Sequence, residues 1–366
     1  MRIKEIHVFQ KDLRIEGPPY TMARTELHSL DSTLIKLVAD NGLSGWGETC
    51  PIGPVYQPHH ALGARAALAE LAPSLIGEQV SLNTLHQVMD DSLNAHGYAK
   101  SAIDVAAHDL LGKHYGVPVS ELLGGARVES VPSYYAIGIG TPEEVSRTAL
   151  DKVAEGYKRI QLKLGGRPIA EDIAVVRKTW EVIGPANRLV VDPNRSLTAS
   201  DTITLSHQCA EVPMTIEQPC NTMEELLNLR GRLCHPVAVD ESSEGLNQFL
   251  RAIETGVCQG FGLKISRMGG LKPFSLVRDL CALRAMPHSC EDSWGGDIVS
   301  AACVHMGATV QPKLLEGVWL AQPYINEHYD PENGITIENG SIAVPDRPGL
   351  GVVPDESALG SPEASY

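Results

Sequence analysis

Three short apolar runs end on an acid: VVVDPN at Asp192, TIEQP at Glu217 and VAVDES at Asp240. Two more end on lysine, RIQLKLGG at Lys163 and FGLKISRMGG at Lys264. Three carboxylates with no His or Cys among them make an oxygen-only donor set. Such a set suits Mg²⁺, with water or substrate completing the octahedron. Taken singly, each acid could instead cap the helix that follows its strand; three in consecutive units favour ligation. A lysine inside an apolar run is costly to bury. Each of the two either snorkels to solvent or has chemistry to do.

Where these residues lie depends on the elements that carry them. From about residue 131, short apolar strands alternate with amphipathic helices. Capping-box spacing at Thr141-Pro142-Glu143-Glu144 and Asn221-Thr222-Met223-Glu224 marks two helix starts. Strand ends fall near Tyr134, Lys163, Asp192, Glu217, Asp240, Lys264, Asp292 and Glu316, a spacing of roughly 25–30 residues repeated through eight units, as an eight-unit parallel barrel requires. In such a barrel every strand's C-terminal end opens on one mouth. The three acids lie on neighbouring strands, and the two lysines on strands four apart. The acids then converge, and the lysines face each other across the mouth with the metal between them. That arrangement can move protons on opposite faces of a flat intermediate. A metal-bound substrate carboxylate loses its α-proton, and the cation stabilises the enediolate. The base must be a neutral lysine, so its pKa must fall by about 3 units, roughly 4 kcal/mol.

The first part of the chain reads differently. Residues 1–12, 33–40 and 43–50 carry strand signals, and Asn41-Gly42 between the last two is a hairpin turn. Residues 58–78 and 97–114 read as helices, so this part is α+β. The tail from about 327 is rich in Gly and Pro, shows no helical pattern, and is expected to return to the first domain. The expected division is a capping domain over 1–125, a barrel over 126–326 and a tail over 327–366.

The chain has 366 residues, enough for a barrel and one accessory domain, and is 43% hydrophobic and 20% charged. A net charge of -15 argues against nucleic acid as a partner. The eight cysteines are scattered without a CxxC pair, which reads as reduced thiols of a cytoplasmic protein and not as a zinc site. The N-terminus alternates like a strand rather than a signal peptide, and no run of 18 apolar residues suggests a membrane span.

The helix Ala99–Lys113 (AKSAIDVAAHDLLGK), the Asp/Glu/Asp set and the two lysines together resemble the mandelate racemase and muconate lactonizing enzyme family, in its muconate lactonizing subgroup of the enolase superfamily. The resemblance covers essentially the whole chain. It implies a (β/α)7β TIM-like barrel under an α+β cap, one Mg²⁺ on Asp192, Glu217 and Asp240, Lys163 and Lys264 as acid/base pair, and a homo-oligomer. One departure stands out. The subgroup's Lys-x-Lys is here Gln161-Leu162-Lys163, so residue 161 cannot lower the Lys163 pKa by charge, and could touch substrate instead.

Further stretches, GWGETCPIGPVYQPHHALGARAALAE and LLEGVWLAQPY, resemble the members that act on proline analogues. Those eliminate water from a cis-3-hydroxyproline or invert Cα of a hydroxyproline betaine, and elimination is the reading favoured here. On that pattern Tyr56 and Trp319 would sandwich a cationic ring nitrogen, and Asp292 would pair with it. Simple packing is the other reading of Tyr56 and Trp319. His59 and His60 read as surface residues and Trp46 as core. Three alternatives stand beside the dehydratase: a pure 2-epimerase of hydroxyproline betaine or proline betaine, a barrel without catalysis, and a sugar-acid dehydratase using His288.

Overall fold

Apolar residues alternate along β1 (Ile3–Arg14), and their buried face sets the register of the N-terminal sheet. After the small hairpin of β2 (Tyr20–Met22) and β3 (Thr25–Leu27), the long β4 (Ser29–Ala39) pairs antiparallel with β1, from Arg14 opposite Ser29 to Ile3 opposite Ala39. The Asn41-Gly42 turn then returns the chain into β5 (Ser44–Thr49), with Gly42 at φ +85° and Val38 opposite Ser44. All three strands expected from sequence form, although β4 starts four residues earlier than the expected 33. The computed structural model describes residues 1–325 and 327–366.

Three helices follow, Ala61–Leu75, Leu82–Ser92 and Gly97–Tyr115; the first and third cover this sheet and the second packs on them. The second was not expected. The third lies directly on β5, and only glycine permits that contact. A Cβ at Gly45 would sit 2.2 Å from Ala106 O, and one at Gly47 1.8 Å from Ala102 O. Trp46, between them, points the other way into the core against Phe9.

After β6 (Ser130–Pro132) come eight parallel strands, each hydrogen-bonded to the next in sequence: β7 (Tyr135–Ile137), β8 (Arg159–Lys163), β9 (Arg188–Asp192), β10 (Met214–Glu217), β11 (Val237–Val239), β12 (Gly260–Lys264), β13 (His288–Glu291) and β14 (Leu315–Val318). A parallel bridge from Ser133 to Val318 brings the last strand back to the first. The fold is therefore an eight-stranded parallel barrel under an antiparallel cap. Expected strand ends coincide at Lys163, Asp192, Glu217 and Lys264, and lie one residue beyond the strand at Asp240 and Asp292. The outer two were misplaced. Tyr134 precedes β7, and Glu316 is the second residue of β14 instead of its end. The register of β13 against β14 shifts there, next to Gly317 at φ +130°, and a strand broken this way offers no continuous apolar run.

Two strands of the C-terminal segment add to other parts of the molecule. β15 (Ser341–Ala343) pairs with β6, and β16 (Ala364–Ser365) pairs with β1. One short helix, Glu356–Leu359, forms where none was expected; the Asp355 side chain caps it. Two buried acids of the N-terminal part fasten it to the barrel helices. Glu48 of β5 accepts hydrogen bonds from Gly296 N at 2.8 Å and Val299 N at 3.1 Å, at the start of the helix Asp297–Thr309. Asp104 accepts from Leu271 N at 2.5 Å, at the start of the helix Leu271–Arg284. Both use the helix N-terminus as an anion site. Among the described residues, no helix is long and apolar enough to cross a membrane.

His305 ties three regions together. Its Nδ1 accepts from Ser120 N at 3.3 Å and its Nε2–H donates to Leu350 O at 3.1 Å. Those partners define a neutral tautomer, and burial lowers its pKa to about 4. The unfolded chain then binds the proton more readily between about pH 6.5 and 4, so stability is full above that window and falls as pH drops through it, by on the order of 3 kcal/mol for this residue. His305→Gln is expected to be less stable at pH 7.5, yet to lose less on going to pH 5. Urea midpoints at the two pH values measure this, and parallel losses in both proteins would contradict it.

Candidate active site

Alternation along β8 sends Arg159, Gln161 and Lys163 into the barrel and Ile160 and Leu162 out to the helices. Lys163 ends β8 and Lys264 ends β12, four strands away, and both line one pocket at the C-terminal mouth. Both are cations here. Burial opposes their charge, but Asp192 beside Lys163 and Asp240 beside Lys264 outweigh it and hold each ammonium above its ordinary pKa.

The three expected ligands are all buried, Asp192 at 1%, Glu217 at 2% and Asp240 at 1% exposure. They sit on three adjacent strand ends but are turned toward protein cations. Lys163 Nζ donates to Asp192 Oδ2 at 2.6 Å, Lys264 Nζ to both oxygens of Asp240 at 3.0 Å, and Arg267 also donates to Asp240. Glu217 has Arg159 at 3.6 Å. Among the described residues, no three His, Cys, Asp or Glu side chains meet at one ligand point. The donor chemistry nevertheless fits a divalent cation. Burial, then Asp192 and Asp240, push the Glu217 carboxyl well above the usual range, and burial and the same two neighbours push Glu241 up to about 8. Glu241 Oε2 and Asn194 Oδ1 are buried without a partner. The cluster crowds carboxylates that repel one another, and its donors are oxygens.

Local backbone holds the acids in place. Asn194 and Arg195 are left-handed, at φ +44° and +65°, and this turn sets Asn194 N 2.9 Å from Asp192 Oδ1 and Asn194 Nδ2 3.0 Å from Asp192 Oδ2. Gln218, at φ +35°, accepts from Asp240 N at 3.1 Å and Ser242 N at 3.0 Å, which ties the ends of β10 and β11 together.

Tyr56 and Trp319 both line the pocket. The Tyr56 hydroxyl donates to Asp240 at 2.8 Å, and Arg195 holds the Tyr56 carbonyl, which seats the capping loop on the barrel. Trp319 also packs on Trp294 and Tyr324, at 5.2 and 5.7 Å between ring centres, so it both lines the pocket and packs within the aromatic wall. Asp292 lines the pocket too, but accepts from Ser266 N, Ser266 Oγ and Ser293 N, and is largely committed before any substrate nitrogen arrives. Gln161 lines the pocket while its amide is engaged on both ends, with Arg159 and Asp192. His59 is buried rather than on the surface, paired with Glu244 at 2.8 Å; His60 caps the helix at Ala61. His288 starts β13 at the opposite mouth from the lysines and donates Nδ1–H to Met286 O, so the sugar-acid dehydratase reading loses its histidine.

Several lining residues were not foreseen. Tyr20 reaches the pocket from the β2–β3 hairpin, with Trp294 beside it at 5.8 Å. Glu291 lies 3.4 Å from Lys264 and accepts from Tyr134 Oη at 2.8 Å and Ser289 Oγ at 2.6 Å. Glu291 was overshadowed by Asp292 next to it, although the two-residue period from Ser289 points inward at 291. Tyr20 carries no chemical signal in sequence, because a three-residue strand in a hairpin resembles a loop.

Fold and site together define a class, and comparison with known proteins agrees. Residues 3–124 match the mandelate racemase / muconate lactonizing enzyme N-terminal domain, and residues 144–358 match the enolase C-terminal domain-like family. The chain belongs to the enolase superfamily and is an enzyme of its mandelate racemase/muconate lactonizing family. Among curated relatives it is 37% identical to the cis-3-hydroxy-L-proline dehydratase of Roseibium aggregatum, over 100% of both chains. It is 26% identical to the L-Ala-D/L-Glu epimerase of Clostridium acetobutylicum, over 96% of this chain and 99% of that one. A crystal structure of an enolase superfamily member from Roseovarius nubinhibens ISM complexed with magnesium superposes with a TM-score of 0.94 at 34% identity, covering 100% of this chain and 99% of that one.

Gly262, facing inward from β12, tests the acid cluster directly. A Cβ there would lie 3.0 Å from Glu217 Oε1, 3.2 Å from Glu291 Oε1 and 3.3 Å from the Asp240 Cβ. Gly262→Ala is expected to cost about 1–3 kcal/mol of stability by overpacking. Denaturant unfolding reads this, and a variant as stable as the parent would mean that the three side chains do not crowd this point.

Proposed function

We propose that this chain is a Mg²⁺-dependent dehydratase that converts cis-3-hydroxy-L-proline to Δ1-pyrroline-2-carboxylate, with 2-epimerisation as a competing outcome. The observation that carries the reading is the pair Lys163 and Lys264, on opposite strands of one pocket beside three buried acids. The 37% identity to a dehydratase of that substrate supports it over the whole length.

Asp192, Glu217 and Asp240 are the residues that would hold the metal. When bound, the cation supplies Lewis-acid stabilisation to the substrate carboxylate and the negative charge that develops on it. In cis-3-hydroxy-L-proline the hydroxyl and carboxylate share one ring face, and the α-hydrogen lies on the other. Loss of both is an anti elimination, which requires a base on one side and an acid on the other. Lys163 is the base and must be neutral, so Asp192 has to release its ammonium. Lys264 stays protonated and gives its proton to the departing hydroxyl. The Cα–H and C3–O bonds break, the Cα–C3 double bond forms, and water leaves; the enamine then tautomerises to the Δ1 imine. Should Lys264 protonate Cα instead, the product is the D epimer. Tyr56 and Trp319 line the pocket where a ring nitrogen would lie and offer it aromatic faces.

A second reading, 2-epimerisation of hydroxyproline betaine or proline betaine, uses the same lysines. The aromatic wall of Tyr20, Tyr56, Trp294 and Trp319 favours it to the extent that a quaternary ammonium needs no hydrogen-bond acceptor.

Incubating the Mg²⁺-loaded enzyme with cis-3-hydroxy-L-proline in D₂O, followed by NMR, decides between them. Loss of water with some Cα-deuterated D epimer is expected. Deuteration and inversion without loss of water, or exchange only when hydroxyproline betaine or proline betaine is supplied instead, moves the function to the epimerase; no exchange with any of the three ends both readings. Asp192→Asn, Glu217→Gln and Asp240→Asn are each expected to abolish turnover together with Mn²⁺ binding; full activity of any one after EDTA treatment contradicts metal dependence. Trp319→Ala is expected to weaken binding of a cationic-nitrogen substrate by about 0.5–2 kcal/mol. Unchanged kcat and KM would return Trp319 to packing alone.

A further inference from the structure

Arg159 is a guanidinium inside the barrel, 6% exposed, on the same inward face of β8 as Gln161 and Lys163. A parallel barrel interior is ordinarily filled by branched apolar side chains, so a charge at this depth needs a reason. Its contacts supply one. Nη2 donates to Gln161 Oε1 at 3.0 Å, Nη1 donates to Glu316 O at 3.2 Å, and the guanidinium lies 3.9 Å from the centre of the Tyr134 ring. Glu217 is 3.6 Å away. Gln161, 3% exposed, passes the connection on, as its Nε2 donates to Asp192 Oδ2 at 3.1 Å.

The chemistry of these groups fixes the direction of the amide. A guanidinium only donates and an ionised carboxylate only accepts. Flipping the Gln161 amide would set its NH₂ against Arg159 and its carbonyl against Asp192, which loses two buried hydrogen bonds and makes two repulsive contacts. One orientation remains, and in it each end of the amide is held by a protein partner, with one N–H and one carbonyl lone pair left over. Resting on the reading that the acids bind a divalent cation, we propose that Arg159 is a positioning residue of the metal site: it orients Gln161, Gln161 holds Asp192, and Gln161 serves the metal ligand instead of the substrate. The cation that a Lys-x-Lys pattern would carry at position 161 thus sits two residues earlier on the same face.

Partners that hydrogen-bond a metal ligand typically change metal affinity about 10–100-fold when removed. The test is a double-mutant cycle with Arg159→Met, Gln161→Met and the double variant. It is read by Mn²⁺ titration followed by electron paramagnetic resonance, with substrate KM measured at saturating Mn²⁺. Each single variant is expected to bind Mn²⁺ about 10-fold more weakly. The double variant should be no weaker than the worse single one, because both remove the same chain of contacts. KM at saturating metal should stay within about 2-fold. Gln161→Met keeps the side-chain volume and decides the matter alone should Arg159→Met fail to fold. An unchanged Mn²⁺ Kd with a raised KM in Gln161→Met makes Gln161 a substrate contact and overturns the proposal, as do multiplicative losses in the double variant. A parent enzyme that binds no Mn²⁺ overturns the metal reading itself, which is a different result.

Discussion

Everything at the barrel mouth answers to one electrostatic constraint: carboxylates on adjacent strand ends, out of water and close enough to repel. Asp192, Glu217, Asp240 and Glu241 are all buried at the ends of three neighbouring strands. Isolated buried charges of this kind are costly, and the protein must either neutralise them or surround them with cations. Here it does both. Lys163, Lys264, Arg267 and Arg159 are drawn onto or beside the acids, and Glu217 and Glu241 are pushed toward the protonated form. The same repulsion would give a divalent cation its purchase, since one ion can replace several partial compensations. Metal occupancy and lysine charge are therefore one problem, because the carboxylates that would bind the ion are those that hold the ammonium groups.

The cap completes the pocket, so its attachment is a functional matter as well as a structural one. Tyr20 and Tyr56 come from segments outside the barrel, and the Tyr56 hydroxyl must be placed to within hydrogen-bond distance of Asp240. Glu48 and Asp104 provide rigid fasteners by binding helix N-termini of the barrel from buried positions. Arg195, in the turn just after Asp192, holds the backbone of the Tyr56 loop. The residue that fixes the loop is thus three positions from a candidate ligand, and displacement of that loop is coupled to the geometry of the acid site by covalent proximity.

How much of this could be read from sequence follows the physics of each signal. Lys163, Asp192, Glu217 and Lys264 were placed at strand ends because a charged residue closing an apolar run is rare and sharply defined. The outer strands were misjudged, since a register shift at Gly317 and an irregular segment at Tyr134 interrupt the runs that mark a strand. Arg159 was passed over because an arginine at a strand's start looks like a solvent-facing boundary; only barrel closure turns it inward. Asp292 was expected to meet substrate; it lines the pocket, and one residue past its strand its carboxylate also meets the backbone of Ser266. Side-chain direction beyond the last paired residue is set by loop geometry, and sequence period no longer applies.

On the proposed mechanism, opposed lysines would serve a dehydratase and an epimerase alike, and both occur among the relatives of this chain. Removing the α-proton on one face and delivering a proton on the other are common to both outcomes. They diverge only in what the second proton meets, Cα or a leaving oxygen at C3. The barrel end therefore supplies chemistry that does not discriminate, and discrimination has to come from whatever sets the ring's position between the lysines. On this chain that is the wall built by Tyr20, Tyr56, Trp294 and Trp319, two of them from cap loops and two from segments following the last barrel strands. Loops on a rigid scaffold change more easily than the strand ends they cover. On the proposed mechanism, the partition between elimination and inversion would be a property of the cap and its aromatic wall, while the rate of α-proton removal would belong to Lys163 and the acids beneath it.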